Sequence, residues 1–439
     1  MTVGSGLEEV GMATNAGGSL SRREFGKAVA AAGAGLVIPA PGVFASGSDA
    51  VRVAVVGCGE RGTTDAVYCL RSAPGVELVA IADLFQDKVD AALEKLRTEV
   101  PGQVKVPPER IFLGFDAYKK VLALDDVNLV LLLTPPGFRP EMVAAGVEAG
   151  KHLFVEKPGA VDPVGVRSLI EASGRAAQKG LSLVVGTQQR YAPQYLELVQ
   201  RIRDGQIGEL THLEALWIGD MELWHYHDRQ PSWSDMEWQV RCWPLFTWLS
   251  GDHYVEQLVH NLDVVNWVAG STPVVCHGLG GRQVRTGPQF GNIFDHFAVR
   301  YEYGNGLTMF AMATQQRGIS TRVGNVIHGT RGTAHVDRGT ASITGAKAWE
   351  FDGTGSSGDL EMHAALIRGI RVGKPINEGV RLAEATMTGV MGRMSAYTGR
   401  ALKWDWAMNA SKLDLRPPRY EMDPLPVAPV AMPGRTPLV

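Results

Sequence analysis

The sequence predicts an α/β fold: an N-terminal Rossmann domain plus a C-terminal α/β domain with a large open, mainly antiparallel sheet. Three observations carry this expectation. The apolar run Val53 to Val56 runs into Gly57, Gly59 and Gly62, a G-x-G-x-x-G turn that leads into a helix. From Val76 to Val185 short apolar runs alternate with helical stretches, the pattern of a parallel sheet covered on both faces. Beyond Val274 strand-like stretches follow one another across turns such as Tyr303-Gly304-Asn305-Gly306, the pattern of antiparallel pairing.

In chain order, the glycine turn comes first. Gly57 permits the turn, Gly59 lets the backbone approach a phosphate, and Gly62 lets the helix pack close to the strand. The helix read from Thr63 to Ser72 aims its dipole and free amides at a negative charge. Gly57, Cys58, Gly59, Glu60, Arg61 and Gly62 are therefore candidate cofactor contacts. The second strand, Val76 to Ala82, ends at Asp83, 21 residues past Gly62. An acid there accepts the adenosine ribose hydroxyls and repels a 2′-phosphate, which favours NAD over NADP. Its plainer role is to cap the helix read over Gln86 to Glu99.

Helices are read over Asp116–Ala123, Pro140–Ala149 and Val164–Lys179, and strands over Val127–Leu133, His152–Val155 and Ser182–Val185. Thr134-Pro135-Pro136 and Glu156-Lys157-Pro158 fall at carboxyl ends of strands, where open α/β sheets bind ligands. A helix over Tyr195–Asp204 and a strand over Leu210–Ile218 follow. Then comes an aromatic insertion, Trp224 to Trp248, with five of the ten tryptophans. Asp252 to Val268 reads as one helix. Val274–Gly280, Asp295–Tyr303 and Leu307–Thr314 read as strands, and Asp359–Val372 and Glu378–Tyr397 as closing helices that pack back on the first domain. The last 24 residues, Arg416 to Val439, hold seven prolines, so they run extended. The apolar residues between the prolines favour docking on a surface, such as another subunit's.

A formal charge of −3 and a pI near 6.4 argue against a nucleic-acid binder. Four cysteines without C-x-x-C spacing suggest no zinc site, and His225-x-His227 lacks a third metal ligand. Ser21-Arg22-Arg23-Glu24-Phe25-Gly26-Lys27 resembles a twin-arginine export signal. A short Ala/Gly-rich run and a Val43-Phe44-Ala45 cleavage site follow it. The expected organisation is a signal peptide over 1–45, a Rossmann domain over 50–187, a substrate and oligomerisation domain over 188–415, and a proline-rich arm over 416–439. The expected location is the periplasm, with no stable membrane insertion after signal cleavage.

The anchors Val55-Val56-Gly57-Cys58-Gly59-Glu60-Arg61-Gly62, Thr134-Pro135-Pro136, Glu156-Lys157-Pro158 and the helix around His260 together resemble the Gfo/Idh/MocA oxidoreductase family. The aromatic insertion and proline-rich tail resemble an exported subgroup from bacteria that degrade complex carbohydrates. The resemblance implies NAD contacts at Thr134, Pro135, Glu156 and Lys157, and catalysis by Lys157 and by the acid and histidine of a D-x-x-x-H pattern. Here that pattern reads Glu256-Gln257-Leu258-Val259-His260, followed by Asp263, so glutamate replaces the family's aspartate. Where relatives carry a histidine after Thr-Pro-Pro, this chain has Gly137-Phe138-Arg139. The resemblance also implies a homo-oligomer, a dimer or tetramer.

Chemically, His260 suits the base that takes a hydroxyl proton, Lys157 suits an alkoxide stabiliser, and Glu256 at i−4 suits an orienting carboxylate on the same helix face. Arg190, Tyr191, His227, Trp238, Arg241 and Asp263 are candidate substrate contacts, because aromatic faces stack on sugars and charged groups bind hydroxyls. The expected activity is oxidation or reduction of a secondary hydroxyl of a sugar or glycoside, with tightly bound NAD. The alternatives are a redox-neutral glycosidase and a non-catalytic sugar-binding protein.

Overall fold

The computed structural model describes residues 50–220 and 225–439. The expected signal peptide and Trp224 lie outside the described residues. Six parallel strands form the first sheet: Val51–Val56 (β1), Val76–Asp83 (β2), Ile111–Leu113 (β3), Leu129–Leu132 (β4), His152–Val155 (β5) and Leu183–Val185 (β6). Their order is β3-β2-β1-β4-β5-β6. That order reverses direction between β1 and β4, and the crevice at such a switch point is where doubly wound sheets take ligands. The connecting helices are Glu60–Arg71 (α1), Gln86–Glu99 (α2), Ala117–Leu122 (α3), Arg139–Glu148 (α4) and Pro163–Gln178 (α5).

Alternation along β1 divides the core. Val51, Val53 and Val55 join one buried cluster, while Ala54 and Val56 join the other. The first cluster is closed by Asp359–Arg371 (α10), whose Met362, Leu366, Ile367 and Ile370 are buried against the sheet. A late helix thus returns to cover the first domain. The second cluster runs on without a break into the core of the second domain.

That domain contains Pro193–Arg203 (α6), Asp235–Arg241 (α7), His253–Glu256 (α8), Val259–Ala269 (α9) and Gly379–Thr398 (α11). Its nine-stranded sheet comprises Leu210–Gly219 (β7), Val275–Gly281 (β8), His296–Glu302 (β9), Thr308–Gln315 (β10), Arg322–Gly329 (β11), Gly332–Val336 (β12), Ala341–Gly345 (β13), Trp349–Glu350 (β14) and Leu402–Lys403 (β15). All pairings are antiparallel except β7 with β10. The sheet is therefore mixed and mostly antiparallel.

The single helix expected over 252–268 is broken. Gln257 and Leu258 separate α8 from α9. The proline-rich arm docks on its own chain, with a turn over Met432 to Thr436. Just ahead of the arm Leu415 N donates to Asp162 (2.8 Å); within it Leu425 N donates to Asp235 (3.1 Å) and the Leu425 carbonyl accepts from Gln239 (2.6 Å). This stretch therefore ties the first domain to α7. No described helix is long and apolar enough to cross a membrane.

Candidate active site

The switch-point crevice opens into a cleft of about 1020 Å³ between the two sheets' domains. At its floor the glycine turn behaves as its spacing implies. Gly57 has φ +103°, and a Cβ there would lie 2.7 Å from the Leu133 backbone. A Cβ on Gly62 would lie 2.1 Å from the Gly57 carbonyl oxygen. A Cβ on Gly59 would meet nothing within 4 Å, so this residue borders open space. No side chain caps α1 at Gly59, which leaves its first amides for an anion. These residues fit the pyrophosphate of a dinucleotide.

Asp83 lines the same cleft. Its carboxylate accepts from Cys58 N (2.6 Å) and Phe85 N (3.0 Å), and burial pushes it above its ordinary value against those amides. Cys58 itself turns inward: it is buried, its Sγ meets the Ala82 carbonyl, and it does not line the cleft. Its backbone amide is occupied by Asp83. Glu60, Arg61, Thr134, Pro135, Glu156 and Lys157 all line the cleft.

Glu156 sits beneath Lys157 in space left by Gly186, where a Cβ would lie 2.5 Å from its carboxylate. It accepts from Arg61 Nε (3.0 Å) and Lys157 N (2.8 Å). Burial would raise this carboxyl, but Arg61, Lys157 and Arg139 outweigh it and hold Glu156 below the usual range. Arg61 also binds Asp359 at 2.6 Å, fastening α1 to α10.

Lys157 Nζ donates to Glu256 twice, at 2.5 Å to the carboxylate and 2.8 Å to the backbone carbonyl. His260 is buried and meets a different partner: its Nδ1 lies 3.1 Å from Gln189 Oε1. With that oxygen as acceptor, Nδ1 carries the hydrogen and Nε2 the lone pair. Burial first, then the cations Lys157, Arg338 and Arg61, hold His260 well below the ordinary histidine range, so its ring is neutral. Trp217 stacks on it, with centroids 6.0 Å apart and planes 19° apart. The break after α8 thus corrects the expected pairing: Glu256 positions the lysine, and Gln189 positions the histidine.

Several expected substrate contacts lie elsewhere. Arg190 binds Asp263 through Nε (2.7 Å) and Nη2 (2.9 Å) and lies over Trp267, while Arg381 binds Asp263 at 3.3 Å. Tyr191 donates to Glu378 at 2.9 Å. Trp238 packs edge-on against Phe246 at 5.0 Å. Arg190, Tyr191, Trp238 and Asp263 are outside the cleft lining, because each is drawn into a buried ion-pair network or an aromatic contact.

His227 and Arg241 do line the cleft. Arg241 closes over its rim, binding Asp87 of α2 at 3.1 Å and lying 3.8 Å over the Phe85 ring. Tyr420 of the proline-rich arm adds a second rim contact, 5.9 Å from Phe115 and 5.3 Å from Phe138. Trp217, Gln188, Gln189, Arg338 and Tyr420 are lining residues that sequence reasoning missed. The nearest signal was Arg190-Tyr191, which shares a short turn with Gln188 and Gln189 but faces the other way. Among the described residues no group of three or more His, Cys, Asp or Glu is set to hold a metal, and all four cysteines are unpaired and buried.

Two domain models match this architecture. Residues 51–187 match the oxidoreductase family with an NAD-binding Rossmann fold, and residues 195–335 match the C-terminal domain of the same family. The chain belongs to the Gfo/Idh/MocA family. Among curated proteins, an alpha-N-acetylgalactosaminidase of Shewanella oneidensis is 32% identical, over 46% of this chain and 47% of that protein. A glycosyl hydrolase family 109 protein of Shewanella baltica is 31% identical over the same shares. The chain spans about half the length of the curated relatives it matches. Among solved structures, an oxidoreductase domain protein from Kribbella flavida superposes with a TM-score of 0.67 at 19% identity, covering 81% of this chain and 99% of that one. A levoglucosan dehydrogenase in complex with NADH and levoglucosan superposes at 0.64 and 16% identity, covering 80% and 99%. At these identities the likeness concerns this Gfo/Idh/MocA protein's fold.

Proposed function

We infer that this protein oxidises or reduces a secondary hydroxyl of a sugar or glycoside with a tightly held NAD. The observation that carries the reading is the Lys157–Glu256 ion pair beside neutral His260, in the cleft floored by the glycine turn. Gly57, Gly59, Gly62 and the start of α1 would hold the pyrophosphate, and Asp83 the adenosine ribose, where its charge disfavours a 2′-phosphate. Bound nicotinamide supplies the hydride acceptor. Lys157, fixed by Glu256, donates a hydrogen bond to the reacting oxygen and stabilises its developing charge. His260 Nε2 takes the hydroxyl proton. Gln188 Oε1 is buried in the cleft wall without a protein donor, and a sugar hydroxyl would satisfy it.

A second reading, a redox-neutral NAD-dependent glycosidase, draws support from the curated galactosaminidase relative. Incubating the purified protein with glycosides, following nicotinamide absorbance and analysing products separates the two. Persistent reduction with a keto-sugar supports dehydrogenation. Free sugar without net reduction supports hydrolysis, and no turnover refutes both.

The twin-arginine-like segment supports export of the folded protein to the periplasm with nucleotide already bound. Protein recovered free of nucleotide, exchanging NAD weakly, would count against this. The outer face of the nine-stranded sheet exposes Leu279 and Phe310, and it is the face we assign to a homo-oligomer.

A further inference from the structure

Most cations in the cleft wall are already matched. Arg61, Lys157 and Arg241 each bind a carboxylate, and Arg139 donates to the Pro158 carbonyl at 2.6 Å. Lys88 stands on α2 beside Asp83, at the far end from His260. Arg338 differs: it forms no ion pair with any described residue. Its guanidinium lies over the Trp217 indole, 5.3 Å from the ring centroid, and that indole is the one stacked on His260.

The backbone around Arg338 is fixed although its side chain is exposed at the cleft mouth. The carbonyl of Arg338 accepts from fully buried Gln194 at 2.8 Å. The neighbouring Asp337 accepts through Oδ1 from Gly339 N and Thr340 N, each at 2.8 Å, which fixes its own turn, and it makes no ion pair with Arg338. The result is a cation held at the substrate end, above an aromatic platform, with its donors unclaimed. Such a fork binds an anion with charge-assisted, bidentate hydrogen bonds, roughly twice as strong as those to a neutral hydroxyl.

The geometry points to an acidic sugar as the substrate, its reacting hydroxyl at Lys157 and His260 and its carboxylate or sulfate at Arg338, the cation that lies over Trp217. This rests on the oxidoreductase reading for the position of the reacting carbon. Orphaned Gln188 Oε1 in the same wall accepts one of the remaining hydroxyls.

The test uses the full chain with its bound nicotinamide. Binding is measured by calorimetry, and nicotinamide reduction by absorbance. The probes are glucuronate and galacturonate, glucose and galactose sulfated at the primary hydroxyl, and the neutral parent sugars. At least one acidic class is expected to bind about tenfold tighter than its neutral parent, with an advantage that shrinks as salt is added. Arg338→Ala removes the advantage through KM, and Arg338→Lys keeps part of it. A preference confined to carboxylates assigns uronates, and one confined to sulfates assigns sulfated sugars. Equal binding of neutral and acidic forms, no binding of any acidic sugar, or an undiminished preference in Arg338→Ala overturns the proposal. Acid-selective binding without nicotinamide reduction would uphold Arg338 and overturn the oxidoreductase reading. Reduction by neutral sugars without acid preference would do the reverse.

Discussion

Lys157 reaches both the side chain and the backbone of one residue, so its ammonium is held in place even if one tether is lost. Lys157→Ala removes the donor we propose for the reacting oxygen. It is expected to slow reduction of bound nicotinamide by about 10²–10⁴-fold without releasing the nucleotide, as read by rapid mixing. His260 is neutral well below the ordinary histidine range. The acid limb of kcat/KM should therefore lie clearly below 6.5, and a limb centred there would remove His260 from the role of base. The glycines offer a paired test. Gly62→Ala places a Cβ on the Gly57 oxygen and should destabilise the fold, whereas Gly59→Ala fills open space. Gly59→Ala should weaken nucleotide binding while shifting the urea midpoint little.

At the scale of elements, five of the six Rossmann strands are easy to read because each is a continuous apolar run between helices, whereas β3, three residues long at the sheet edge, goes unread. Strands β11 to β14 are not easy to read either, since Gly, Asn, His and Thr interrupt their alternation and their register comes from neighbours. The break between α8 and α9 has no Gly or Pro to announce it, so the helix period alone misassigns the partner of Glu256. Gly137 has a plain physical account: a Cβ there would lie 2.2 Å from the Trp248 carbonyl oxygen, so the insertion packs where a larger side chain would collide. The rim contacts belong to this scale too. Asp87 is more than half exposed, so its bond to Arg241 contributes under about 1 kcal/mol. Arg241→Ala alone should speed nucleotide release by only a few-fold, and adding Tyr420→Ala should speed it further. Release rates unchanged in the double variant would show that the rim does not retain the nucleotide.

For the whole molecule, buried histidines set the acid limit. His363 is fully buried against Phe154 and held down to about 3, by burial first and Arg61 second. The unfolded chain takes up that proton near 6.5, so stability is intact above this value and is lost as pH falls toward 3. The loss approaches about 1.4 kcal/mol per pH unit. His253, also near 3, adds a like slope. Asp252, pushed up by burial to about 7, acts in the opposite sense and loses its contribution as pH rises through 7. His363→Phe should flatten the fall in urea midpoint between pH 6.5 and 4 by one histidine's share. An unchanged slope would mean that this ring is not the titrating group.

The rim contact from Tyr420 also has a consequence in time. The cleft is assembled from segments far apart in the chain: the phosphate cradle lies near residue 60, and the Tyr420 ring that borders its mouth is made much later. At ordinary elongation rates tens of seconds separate the two. A growing chain therefore presents an open cradle to the surrounding nucleotide pool before the segment around Tyr420 folds across the rim. The enclosure is complete only once Tyr420 has left the ribosome.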